Sequence, residues 1–186
     1  MNFSKIATRT VMLVLMATVG FGISISAAST SLFAQDKKPA SPSATATATF
    51  DGITATVNYA QPSKKGREIF GKLVPFGEVW RTGANAATTL TLSGDAMIAG
   101  KALKAGTYAL FTIPTKDKWT VIVNSVAKQF GAFTYSKDKD VLRVDVPSAA
   151  SKDPVEMFTI AFEKAEKGTT MTFAWDMTKV SVPMMK

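Results

Sequence analysis

Arg67, Glu78, Trp80, Arg81 and Asn85 fall in one stretch, Gly66 to Thr89, together with Gly66, Gly71, Gly77 and Gly83. The planar fork of an arginine beside a short amide can grip a carboxylate or a pair of sugar hydroxyls, and an indole face can wall such a pocket. On this reading Arg81 is the clamp for an anion or hydroxyl, Asn85 the orienting amide and Trp80 the apolar wall. Arg67 and Glu78 line the approach. The same residues also have a structural reading. Arg81 would then pair with Glu78 or another carboxylate, Asn85 would satisfy turn backbone groups and Trp80 would fill the core.

Other chemistries find less to work with. The chain has no histidine and no cysteine. The usual general base near neutral pH, the Ser-His-Asp arrangement, thiolate nucleophiles, disulfides and most zinc and copper sites are therefore excluded. Ser63-Lys64-Lys65-Gly66-Arg67 is the densest basic run, and it suits either a solvated loop or an anionic surface. Asp138 and Asp140 form a D-x-D, but the spacing of an EF-hand loop is missing and no metal site is assigned. Tyr59, Tyr108, Trp119, Phe130, Phe133 and Tyr135 would make a sugar platform only if one sheet face exposed them; otherwise they belong to the core. Glu68 and Glu78 are the acids available to a carboxylate-dependent hydrolase, with nothing in the sequence to set them across a cleft. No catalytic residue and no cofactor is assigned.

The N-terminus explains where such a site would work. Lys5 and Arg9 precede the apolar run Val11 to Ile25, the charge and hydrophobic blocks of a secretory signal. Small residues permit cleavage after Ala28 or after Ala34. The run is shorter than the roughly 20 apolar residues of a membrane span, so no transmembrane segment is expected after cleavage. Residues 1–34 are read as the signal, residues 35–44, rich in Lys, Pro, Ser and Ala, as a flexible linker, and residues 45–186 as one domain. The formal net charge of +8 comes mostly from scattered lysines, which for an exported protein in a periplasm or beyond suits solubility and anionic envelope surfaces more than nucleic acid.

Positioning these side chains falls to strands. Ala44 to Phe50 alternates, Asp51-Gly52 follows, and Ile53, Ala55, Val57 and Tyr59 then share one face, which predicts a hairpin with a type I′ turn. Thr89 to Leu92, Met97 to Leu103 around a turn at Gly100-Lys101, Ala105 to Ile113 before Pro114, and Trp119 to Asn124 read as further strands, the last of them central. Leu142 to Val146, Phe158 to Phe162, Met171 to Trp175 and Val180 to Met184 continue the pattern, with turns expected at Lys167-Gly168 and near Asp176-Met177. Short strands with turn signals every dozen or so residues predict an all-β protein: an antiparallel β-sandwich, jelly-roll or Ig-like, or a partly closed barrel. Only Ile69 to Leu73 and Val126 to Phe130 suggest short helical turns.

One resemblance covers nearly all of Thr45 to Met184. Gly66-Arg67-x-Ile69-Phe70-Gly71-x-Leu73-Val74-Pro75, Gly77-x-Val79-Trp80-Arg81-Thr82-Gly83-Ala84-Asn85 and Ala87-Thr88-Thr89 carry it first. Gly100-Lys101-x-Leu103-x-Ala105-Gly106-Thr107-Tyr108, Phe111 to Pro114, Trp119 to Ile122, Gly131-Ala132 and Asp140 to Val144 continue it. With these the chain resembles a bacterial secreted family catalogued as domain of unknown function 2911. The resemblance implies an exported, mainly β domain of the cell envelope and transfers no catalytic role. The function expected is a non-catalytic binding module for a polar or anionic small molecule or a glycan. The alternatives are an envelope component that works through protein contacts and a hydrolase using Glu78.

Overall fold

Asp51 and Gly52 both take positive φ, 49° and 77°, as a two-residue type I′ turn requires. That turn joins β1 (Ser43–Phe50) to β2 (Ile53–Ala60), paired from Phe50 opposite Ile53 to Ser43 opposite Ala60. The computed structural model describes residues 40–186, so the expected signal at residues 1–34 lies outside the described residues. The expected linker at 35–44 is described only from residue 40, and within it Ser43 and Ala44 already pair in β1. Thr45 and Thr47 hydrogen-bond the side chains of Asn58 and Thr56 across the hairpin, which favours strand over tether at this point.

Seven more strands follow: β3 (Thr88–Leu92), β4 (Ala96–Ile98), β5 (Lys101–Leu103), β6 (Gly106–Pro114), β7 (Lys118–Asn124), β8 (Asp140–Lys164) and β9 (Thr169–Met185). Every pairing between them is antiparallel, in the order β1-β2-β3-β6-β7-β8-β9-β4-β5. The chain therefore runs as a meander from which only the β4–β5 hairpin departs, to pair with the end of β9. No helix among the described residues is long and apolar enough to cross a membrane.

The two longest strands turn the meander into a β-sandwich. β8 pairs with β7 up to Pro147 and with β9 from Ser148 onward, so one strand passes from the first layer into the second. Breaks in register after Ala150 and Val155 supply the bend. β9 curls as well. A straight strand of its length would span about 55 Å, yet Gly168, just before it, lies against Met184 near its end, where an added Cβ would collide with the Met184 carbonyl oxygen. Asp176 at φ 53° marks the kink that permits this. Inside, Val57, Leu90, Val121 and Val144 of the first layer share a core with Phe158, Phe173, Trp175 and Val182 of the second. The far face of β6 and β7 is also covered, with Phe111 and Ile122 buried beside Val79, Ala132 and Tyr135. β7 is central, as its two-sided apolar pattern predicts.

Four expectations are corrected. Neither Ile69–Leu73 nor Val126–Phe130 is helical, and the only helical turn among the described residues is the 3₁₀ turn Lys137–Lys139. Gly71 at φ 93° breaks the first segment, where the Val74 amide returns to the Ile69 carbonyl. In the second, the Asn124 carboxamide oxygen takes the Val126 amide and the Gln129 side chain caps the Val126 carbonyl, so side chains replace helical bonds. Asp176-Met177 is likewise a kink within one strand and not a turn between two, and Gly100-Lys101 shifts to a turn at Ala99-Gly100.

Candidate functional site

The segment that positions Arg81 is held by short bonds and unusual backbone. Trp80 exchanges two backbone hydrogen bonds with Thr112 of β6, at 2.7 and 2.9 Å, which anchors the segment beside the sheet. Its indole Nε1 then donates to the Gly83 carbonyl at 3.0 Å. Between these anchors Thr82 stands fully buried at φ 54°, a conformation that β-branched residues avoid. Its hydroxyl donates to Thr112 Oγ1 at 3.1 Å, and its carbonyl accepts the Thr88 hydroxyl at 2.6 Å. Gly83 follows at φ 153°, where a Cβ would lie 2.9 Å from the Ala60 carbonyl oxygen. Backbone strain of this kind costs about 1–3 kcal/mol per residue and persists where the surroundings over-determine it.

A second segment approaches from the other side. Pro62 to Lys64 bond to β8 through the Phe158 amide, the Glu156 carbonyl and a bridge between Ser63 and Met157. Lys64 reaches Asp176 at 2.5 Å, and the Lys65 amide donates to Glu156 Oε1. Arg67 folds back so that its Nε and Nη2 donate to the carbonyls of Lys64 and Ser63. The basic run is thereby fixed in place rather than merely solvated.

Between the two segments lies a cleft of about 510 Å³, within the range of small-molecule sites. Arg67, Trp80, Arg81 and Asn85 all line it. Trp80 serves both readings of the sequence. It is buried in an aromatic cluster with Phe70, Trp119 and Phe158, and it stacks on Trp175, which also lines the cleft, with ring centroids 5.9 Å apart. Asn85, at φ 60°, donates its amide to the Ser41 carbonyl at the rim. Glu78 stays out. It is exposed, does not line the cleft and makes no ion pair with Arg81.

Electrostatics single out Arg81. Its Nε is buried without a hydrogen-bond partner among the described residues, and burial pushes the guanidinium below its ordinary pKa. Lys65 and Arg67 add positive charge to the lining, and no aspartate or glutamate among the described residues lines the cleft. Leaving a buried donor unmade costs about 1–3 kcal/mol, more for a charged group, and an acceptor placed in the cleft would remove that cost. Of the charged and aromatic lining residues, Lys65 and Trp175 are the two that the sequence did not assign to the site. Lys65 was within reach, two positions before Arg67; Trp175 comes from β9 across the sandwich and carries no local signal.

The remaining candidates have other roles. Of the supposed platform, Tyr59 and Trp119 are buried, Tyr108 and Tyr135 partly so, and only Phe130 and Phe133 stand exposed. Asp140 is engaged by Asn124, Tyr135 and Arg143 while Asp138 faces solvent, and no group of three or more metal-ligating side chains occurs among the described residues.

The profile of a family described as "Protein of unknown function (DUF2911)" matches residues 41–184. No curated protein and no solved structure matches the chain.

Proposed function

We propose, for a chain that belongs to the family of unknown function DUF2911, that the cleft binds a small anionic molecule without catalysing its conversion. Arg81 holds a carboxylate or phosphate group of that ligand, Lys65 and Arg67 complete the positive lining, and the Trp80–Trp175 pair receives its apolar part. One observation supports this reading above the others: the buried Arg81 Nε has no acceptor among the described residues, in a cleft that none of their acidic side chains lines. A bidentate anion would give the fork its missing partner. The hydrolase alternative lacks comparable support, because Glu78 stands outside the cleft. On the strength of Lys5, Arg9 and the Val11–Ile25 run, the same reading puts the protein outside the cytoplasm, in a periplasm or beyond.

The test is thermal unfolding of the parent chain and of Arg81→Ala with succinate, inorganic phosphate and a neutral oligosaccharide. A ligand bound only by the folded state raises the midpoint as its concentration passes Kd. The expected result is a rise with at least one anion, none with the oligosaccharide, and no rise in a folded Arg81→Ala. A parent that responds to none of the anions, or a variant that responds equally, would sink the proposal.

A further inference from the structure

Phe130 and Phe133 are 69% and 85% exposed, the two most exposed of the large apolar side chains among the described residues. They belong to the connection between β7 and β8, with Val126 43% exposed on the same stretch. Their exposure is not slack in a loose loop. Asn124, fully buried at the end of β7, donates to the Ser136 carbonyl and Asp140 Oδ1 and accepts from the Val126 amide and Gln129 Nε2. Thr134 donates to Gln129, and Tyr135 donates to Asp140. The Phe133 ring lies so close over Gly131 that a Cβ there would stand 2.8 Å from it. A loop pinned at both ends holds two phenyl rings in water, so the exposure is built in.

The charges around the rings indicate what covers them. Lys128, Lys137 and Lys139 are exposed on the same connection and form no ion pair among the described residues; Asp138 is the one opposing exposed carboxylate there. Asp140 is neutralised by Arg143 at 2.7 Å. Two phenyl rings offer roughly 300–500 Å² between them. That falls well short of the ~800 Å² per partner of a stable protein interface. Shallow insertion into a lipid headgroup region, by contrast, needs only a few apolar side chains with lysines beside them.

We propose that the β7–β8 connection docks onto an anionic phospholipid bilayer, with Phe130 and Phe133 entering the headgroup region and Lys128, Lys137 and Lys139 meeting its negative charge. Gly131 donates its amide to the Asn85 carbonyl at 3.1 Å, so the docking loop and the cleft rim form one hydrogen-bonded unit.

The full chain carrying Phe133→Trp tests this locally. Trp80, Trp119 and Trp175 are all buried, so the added indole is the solvent-exposed emitter, and Phe130→Trp serves as a second reporter. The expected result is a blue shift and loss of acrylamide quenching with phosphatidylcholine vesicles containing phosphatidylglycerol. Both effects should weaken in high salt and disappear when Lys128, Lys137 and Lys139 are all changed to Gln. Neither reporter shifting overturns the proposal, as does an equal shift with pure phosphatidylcholine. A shift that appears on concentrating the protein without vesicles assigns the surface to a second copy of the chain and overturns it too.

Discussion

The Thr88 hydroxyl donates to the Thr82 carbonyl at 2.6 Å, closing the loop that carries Arg81 while Thr82 sits at φ 54°. The bond joins the first residue of β3 to a residue whose own hydroxyl is tied to Thr112 of β6. Two strands thus fix the conformation from both sides. Arg81, next to Thr82, is presented to the cleft by a frame with little freedom, which lowers the ordering cost of gripping a ligand.

Gly83→Ala tests that frame. The new methyl would lie 2.9 Å from the Ala60 carbonyl and 3.2 Å from Thr88 Oγ1, at a φ of 153° that side chains rarely adopt. The expected loss is about 2–4 kcal/mol, or roughly 5–15 °C in melting temperature. Anion binding should weaken in protein that remains folded, since Trp80 Nε1 and Thr88 both bond to this loop. A variant that melts like the parent would show that the loop relaxes freely.

Arg81→Met separates a binding arginine from a structural one. Methionine keeps most of the apolar stem and removes the charged fork, including the buried Nε that has no partner among the described residues. Without ligand the variant should be as stable as the parent or up to about 1 kcal/mol more stable, because an unsatisfied donor leaves the interior. Denaturant unfolding in buffer free of small anions reads this directly. A loss above about 2 kcal/mol would mean that the guanidinium has a structural partner.

How much of this was legible in the sequence depends on distance along the chain. Asp51-Gly52 announced its turn because a type I′ geometry is a local property of two residues. Arg67, Trp80, Arg81 and Asn85 came together because one contiguous segment carries them and the aromatic core anchors it. Glu78 falls outside the cleft although it is as near in sequence: neighbours diverge at a turn, and Gly77 at φ 81° precedes it. The continuity of β9 was hidden because a turn was expected near Asp176-Met177, and that of β8 because prolines such as Pro147 and Pro154 are disfavoured inside a sheet. Pro147 instead sits where β8 leaves β7, and Pro154 falls in the break between Ala150 and Val155, where no partner needs its missing amide.

Asn124→Ala should uncouple the β7–β8 connection from the sheet. The side chain makes four hydrogen bonds from a fully buried position, and its removal takes a partner from Gln129 and from the Asp140 carboxylate, which are themselves largely buried. The expected destabilisation is about 2–4 kcal/mol. Hydrogen exchange should quicken first at Val126 and Ser125, whose amides bond Asn124 Oδ1 and the Lys139 carbonyl. Unchanged exchange there would show that the connection is held by its apolar underside alone.

Tyr135 gives the protein an alkaline limit. Burial, followed by its hydrogen bond to the Asp140 carboxylate, pushes its phenol from 10.0 up to about 12, against the opposing pull of Arg143. Below the unfolded value both states keep the proton, so the group's stabilisation is fully present and adds no pH dependence. Between about 10 and 12 the unfolded chain ionises while the native phenol stays protonated, so the native state holds more protons and stability falls as pH rises through that window. Tyr135→Phe should abolish this part of the slope. It should also lower stability at neutral pH by about 1 kcal/mol, because Asp140 and Arg143 lose the hydroxyl between them. Denaturant midpoints of parent and variant across the window measure the difference and cancel the lysines common to both. Parallel curves would mean that Tyr135 ionises as readily folded as unfolded, and the buried Asn124–Asp140–Tyr135 network would then be open to water.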